Sequence, residues 1–209
     1  GAAMAWCEKS FHESSLVPVL DRDIFEDPKR SVARVARALG FVHRKLHFNQ
    51  VNLTPLGAVI AAPAPGTREL FCRNGLKYYA RIRPRDIEAV LREIKKQLGI
   101  LKQARQDKTI SANGKILVHE LELAARMAGQ SCKFMLWQQT VAQGKMSQAQ
   151  RMAATNIKEL KQLDRDFNSF WPHRNKGTTA KCSEFLKWRI ADYKKGATNP
   201  RMSQVKNKG

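Results

Sequence analysis

LVHELELAARMAGQSCKFM, from Leu117 to Met135, is the most apolar periodic stretch of the chain. Leu117, Leu121, Ala124, Ala128, Cys132 and Met135 recur at spacings of 4, 3, 4, 4 and 3, the period of one helical face. A helix so apolar is expected to be central. The break Ser111-Ala112-Asn113-Gly114 precedes it. Upstream of that break, a helix beginning at Arg83-Pro84 carries Ile87, Leu91, Ile94, Leu98 and Leu101, with charge on its other face. Downstream, Gly144 separates a further helix whose stripe of Ile157, Leu160, Leu163, Phe167 and Phe170 stops at Trp171-Pro172. A shorter one holds Phe185, Leu186, Trp188 and Ile190. Short breaks between one-sided helices predict a mainly α fold, with an antiparallel helical bundle over residues 84–193.

Toward the N-terminus, Asp27-Pro28 predicts a helix with Asp27 as cap and Pro28 in the first turn, packed through Val32, Val35, Leu39, Val42 and Leu46. Periodicity fails from Asn49 to Arg83, where Pro55, Pro63, Pro65-Gly66 and Asn74-Gly75 punctuate an irregular connection. Residues 27–83 therefore read as a helix plus that connection. Gly1 to Trp6 is small and apolar and ends in an aromatic, as a short buried strand would before a loop. Residues 194–209, with Lys194-Lys195-Gly196 and Lys206-Asn207-Lys208, lack an apolar period and read as a basic disordered tail.

The 209 residues are 43% hydrophobic and carry a net charge of +20, enough apolar content for a core and enough charge to attract polyanions. No run approaches the roughly 18 apolar residues of a membrane span, and no leader is visible, so no membrane partner is expected and the cytoplasm is the favoured compartment. Because Gly1-Ala2-Ala3-Met4 lacks a leading methionine, the true start is expected upstream. Cys7, Cys72, Cys132 and Cys182 form no C-x-x-C pair and read as reduced, mostly buried thiols. His43 and His47 have the spacing of a helical metal pair but lack the glutamate of H-E-x-x-H, and His119 is isolated. No metal site and no cofactor is expected. Asn52-Leu53-Thr54 matches a glycosylation sequon, but Pro55 follows it and modification is not expected.

Four blocks carry a resemblance in their order. Gly1-Ala2-Ala3-Met4-Ala5-Trp6-Cys7-Glu8 contains a W-x-E motif, and Val19-Leu20-Asp21-Arg22-Asp23-Ile24-Phe25 is followed by Arg34-Val35-Ala36-Arg37-Ala38-Leu39-Gly40. Glu120-Leu121-Glu122-Leu123-Ala124-Ala125-Arg126-Met127 comes next, and Phe170-Trp171-Pro172-His173-Arg174-Asn175-Lys176-Gly177 last, a W-x-x-R-N-x-x-G ending one residue short of the usual register. Together they resemble the C-terminal part of a bacterial-type glycoside hydrolase of family 20, the β-N-acetylhexosaminidase class. The resemblance implies that residues 1–26 are the last strand of a (β/α)8 barrel with its active-site loop, and that the helices are an extension following it.

It further implies that Trp6 lies against the apolar face of a sugar ring while Glu8, two residues on in an extended chain, accepts hydrogen bonds from sugar hydroxyls. In this family the substrate's own 2-acetamido oxygen attacks the anomeric carbon, assisted by an Asp-Glu pair on an earlier strand. That pair would lie upstream of Gly1, so no catalytic residue is assigned within the chain; Asp21, Asp23, Glu120 and Glu122 read as structural or solvated. The expected partners are an N-acetylhexosaminide carbohydrate bound by the full-length parent and a second copy of the chain. The competing expectation is an autonomous basic helical module that binds RNA or another polyanion through Arg81-Ile82-Arg83-Pro84-Arg85, Lys95-Lys96 and the C-terminal lysines.

Overall fold

The computed structural model describes residues 13–48, 53–61, 79, 81–175, 178 and 182–198. Among them all regular structure is helical: α1 (Glu13–Asp23), α2 (Val32–Phe41), a 3₁₀ turn (Val42–Leu46), α3 (Pro55–Ala61), α4 (Pro84–Gln106), α5 (Ala112–Ala142), α6 (Met146–Phe170), a second 3₁₀ turn (Trp171–His173) and α7 (Glu184–Thr198). The mainly α class and helical-bundle character expected from the sequence are those observed. No helix among the described residues is long and apolar enough to cross a membrane.

Contacts divide the chain into two compact units, Gly1–Val42 with Glu93–Ala125, and His43–Arg92 with Arg126–Gly209, so that the divisions fall inside α4 and α5. In the first unit Phe25, Val32 and Val35 pack with Leu101 and Ala104 of α4 and with Ile110 and Val118. Val17 and Leu20 of α1 lie against this aliphatic cluster, whereas Leu16, Val19 and Ile24 are exposed. Gly114 is required in the first turn of α5. A Cβ there would stand 2.1 Å from the Phe25 carbonyl oxygen and 2.8 Å from Ile110.

The second unit has an aromatic core. Phe134 and Trp137 of α5 meet Tyr193 of α7 with ring centroids 5.2 and 4.7 Å away, and Leu160, Leu163 and Leu186 are fully buried. Asn156 Nδ2 donates to the Tyr193 hydroxyl at 3.1 Å, and Phe167 meets Phe185 edge-on at 6.3 Å, so α6 and α7 run antiparallel. Cys132 is fully buried on α5, and burial pushes its thiol up to about 12. Cys182 is a half-buried free thiol; Cys7 and Cys72 lie outside the described residues.

Several expectations are corrected. Glu13–Asp23 is a helix and not part of a loop; the strand expected at Gly1–Trp6 lies outside the described residues. The helix expected at Asp27-Pro28 starts at Val32, because the Asp27 carboxylate folds the intervening residues into a turn. Within the expected irregular connection, Pro55–Ala61 is helical: Thr54 Oγ1 accepts the Gly57 N–H at 3.1 Å, a cap followed by proline in the first turn. Lys194–Thr198, read as tail, continue α7, anchored by the fully buried Tyr193; 199–209 lie outside the described residues.

Candidate functional site

Two polar constellations are buried in the described structure, one in each unit. The first is built at the start of α2. The leading amides of a helix have no partner within it, and the aligned peptide dipoles place positive potential there. Asp27 answers both needs: Oδ1 accepts the Lys29 N–H at 2.9 Å, while Oδ2 accepts the Ser31 N–H at 2.6 Å, the Ser31 hydroxyl at 2.8 Å and the Val32 N–H at 3.0 Å. Glu26 and Arg30, with φ of 48° and 51°, bracket this turn in a left-handed conformation uncommon outside glycine. Asp21 reaches across from α1, and its Oδ1 accepts the Ala33 N–H at 2.7 Å.

The two carboxylates differ. Burial raises both, but the four bonds to Asp27 outweigh it and hold that carboxyl below its ordinary value. Asp21 has one bond and a buried, unbonded Oδ2, so burial wins and its carboxyl lies above the usual value. An open groove of about 390 Å³ lined by Pro18, Val19, Asp21, Arg22, Glu26, Asp27, Pro28 and Arg30 borders them. Because the chain's own carboxylates fill the anion position of α2, this end of the helix offers no free amide pair to a ligand. Asp23 is held by Arg22 at 2.6 Å on the surface, and Glu122 by Arg105 at 3.0 Å, which gives these acids structural or solvated roles.

The second constellation surrounds Arg189, only 1% exposed on α7. Its Nη1 donates to the Val59 carbonyl at 3.1 Å near the end of α3, its Nη2 lies 3.0 Å from Asp192, and the guanidinium covers the Phe134 ring at 5.0 Å. Burial raises the Asp192 carboxyl, with Arg189 opposing. A cation is well placed at a helix C-terminus, where carbonyls lack partners. Ser131 Oγ donates to another α3 carbonyl, Leu56, at 2.6 Å. These contacts hold α3 to α5 and α7. Sequence reading passed over Arg189, although its placement three residues after Leu186 and four before Tyr193 marks a cation inside an apolar stripe.

Trp6 and Glu8, the expected sugar-pocket residues, lie outside the described residues, as does Asn52 of the sequon. His43 falls in the 3₁₀ turn and His47 follows it with φ of 50°, so their spacing does not stack them on an α-helical face. Among the described residues no group of three or more His, Cys, Asp or Glu could hold a metal ion. No family model, curated protein or solved structure matches this chain.

Proposed function

We propose that this chain is the C-terminal portion of a family-20-like glycoside hydrolase acting on terminal N-acetylhexosamine residues, in which Trp6 and Glu8 line the sugar pocket and the helices form a stabilising extension. One observation carries the reading: α1 begins at Glu13, five residues after Glu8. With the strand proposed over Gly1–Trp6, such a spacing to α1 would suit a βα unit, and barrel enzymes build their sites from the loop between strand and helix. The exposure of Leu16 and Val19 on α1 supports it, because a barrel helix needs an apolar face for the strands it covers. The carboxylate contact from Asp21, in the first of the two neighbouring family-like blocks, is made to Ala33, the residue before the second block.

In this reading Trp6 stacks on the sugar and Glu8 fixes its hydroxyls, while the 2-acetamido oxygen is the nucleophile and an Asp-Glu pair upstream of Gly1 orients it and protonates the leaving oxygen. The test is the coding sequence upstream of the Gly1 codon, followed by hydrolysis of a nitrophenyl N-acetyl-β-glucosaminide by the full-length product. Expected are an in-frame barrel with an Asp-Glu pair, and a KM raised about 10- to 100-fold by Glu8→Gln, the loss of charge-assisted hydrogen bonds. A stop codon directly upstream, or a full-length product without such activity, overturns the proposal.

A further inference from the structure

On α6 the charges are sorted by sign. Arg151, Lys158 and Arg165 recur every seven residues on the face opposite the buried Leu160, Lys161 lies beside them, and all four are exposed. The acids of α6 are half-buried and engaged elsewhere. Glu159 accepts from Gln130 Nε2 at 2.6 Å and pairs with Lys133 of α5; Asp166 pairs with Arg126 of α5 at 2.7 Å; Asp164 accepts from Asn168 at 3.1 Å. The seam with α5 thus neutralises two of the acids, Asp164 keeps its charge beside Asn168, and Arg165 also donates to Gln162, so the outer face carries a predominantly cationic stripe. At the helical rise of 1.5 Å per residue, it is about 21 Å long from Arg151 to Arg165.

We infer that this stripe is a docking surface for the phosphate backbone of a duplex nucleic acid. A straight row of cations on a rigid helix matches a regularly charged rod, and each phosphate neutralised releases counterions. The residues between the cations on this face, Ala154, Thr155 and Gln162, are small or polar. They supply neither the bulky apolar groups that insert into a membrane interface nor the aromatic platforms that stack single-stranded bases. Binding is therefore independent of base sequence. The inference rests on α6 alone and stands or falls separately from the hydrolase reading.

The full chain is titrated into a labelled duplex of about 20 base pairs, with salt varied from about 50 to about 200 mM. Four contacts predict a slope of log K on log salt near −3.6, so affinity falls roughly 100-fold over that range. Replacing Arg151, Lys158, Lys161 and Arg165 by Gln should lower affinity at least about 10-fold at the lowest salt and flatten the slope by about 3.6. A charge-matched variant with Lys95, Lys96, Lys102 and Lys108 replaced by Gln keeps its affinity within about twofold, and circular dichroism verifies that both variants are folded. Equal losses in the two variants would show diffuse attraction and overturn the inference. So would absence of duplex binding, or equal α6-dependent binding to phosphatidylserine vesicles.

Discussion

In the unit of Gly1–Val42 and Glu93–Ala125, buried carboxylates serve the start of a helix; in the unit of His43–Arg92 and Arg126–Gly209, a buried guanidinium serves the end of one. Each charge is opposite in sign to the helix terminus it touches. Their surroundings differ, mostly aliphatic around Val32, Leu101 and Val118, aromatic around Phe134, Trp137 and Tyr193. The comparison teaches that an acid can shed its charge when its environment turns unfavourable, whereas a guanidinium cannot, so the second unit must keep its cation solvated by carbonyl, carboxylate and ring.

The sharpest way to break this contrast is Arg189→Met. It should cost about 3–5 kcal/mol in urea unfolding, since Asp192 is left without its counter-charge, and adding Asp192→Leu should recover more than half. A loss typical of a surface residue would show that Arg189 is not what organises its unit. Next is Gly114→Ala, expected to destabilise by about 3 kcal/mol because the added methyl meets a backbone carbonyl. Gly196→Ala, whose Cβ would stand 2.4 Å from the Trp137 ring, should cost less, about 1–2 kcal/mol, because a side chain yields more readily than backbone.

The carboxylate side of the comparison is sharpened by pH. Asp21→Ala removes the acceptor of a buried amide and should cost about 1–3 kcal/mol, and Asp21→Asn less, because it retains the acceptor. The Asp21 carboxyl is raised in the folded chain, so the folded state binds that proton more tightly than the unfolded one. Its contribution to stability therefore falls as pH rises from the ordinary carboxylate value through the raised one, and Asp21→Asn should flatten that fall in unfolding midpoints. Asp27 is lowered and acts with the opposite sign, its contribution being lost as pH drops below the ordinary value. The smallest effect is expected at Gly99, where an added Cβ meets nothing; Gly99→Ala should stabilise α4 by about 0.5–1 kcal/mol in thermal unfolding.

The long helices were legible because they are one-sided. Ile87, Ile94 and Leu101 of α4, and Leu160, Leu163 and Phe167 of α6, are buried as their spacing requires. In α5 the spacing held in part: Cys132 and Met135 are fully buried and Leu117 and Leu121 pack against the core, but Ala124 is exposed while Val118, Leu123 and Ala125 are buried. Beyond Gly129 burial extends around most of that helix, so no single stripe describes it. α1 was missed because Pro18 interrupts it and its apolar residues point both to the core and to solvent. The end of α7 was missed because Tyr193 and Gly196, its anchors, stand among lysines. At the candidate sites, local sequence marked Asp27 as serving a helix start but put that start four residues early, whereas the bond from Asp21 to an amide twelve residues on and the reach of Arg189 to Val59 depend on tertiary placement.

Cys132 gives the second unit an internal clock. Fully enclosed on α5 and with its thiol pushed up to about 12, it holds almost no nucleophilic thiolate at neutral pH and is shielded from any reagent in solution. A maleimide can reach it only when α5 parts from its neighbours, so the rate of its alkylation counts those openings one at a time. The half-buried Cys182, more accessible to the same reagent, supplies a comparison within the same molecule.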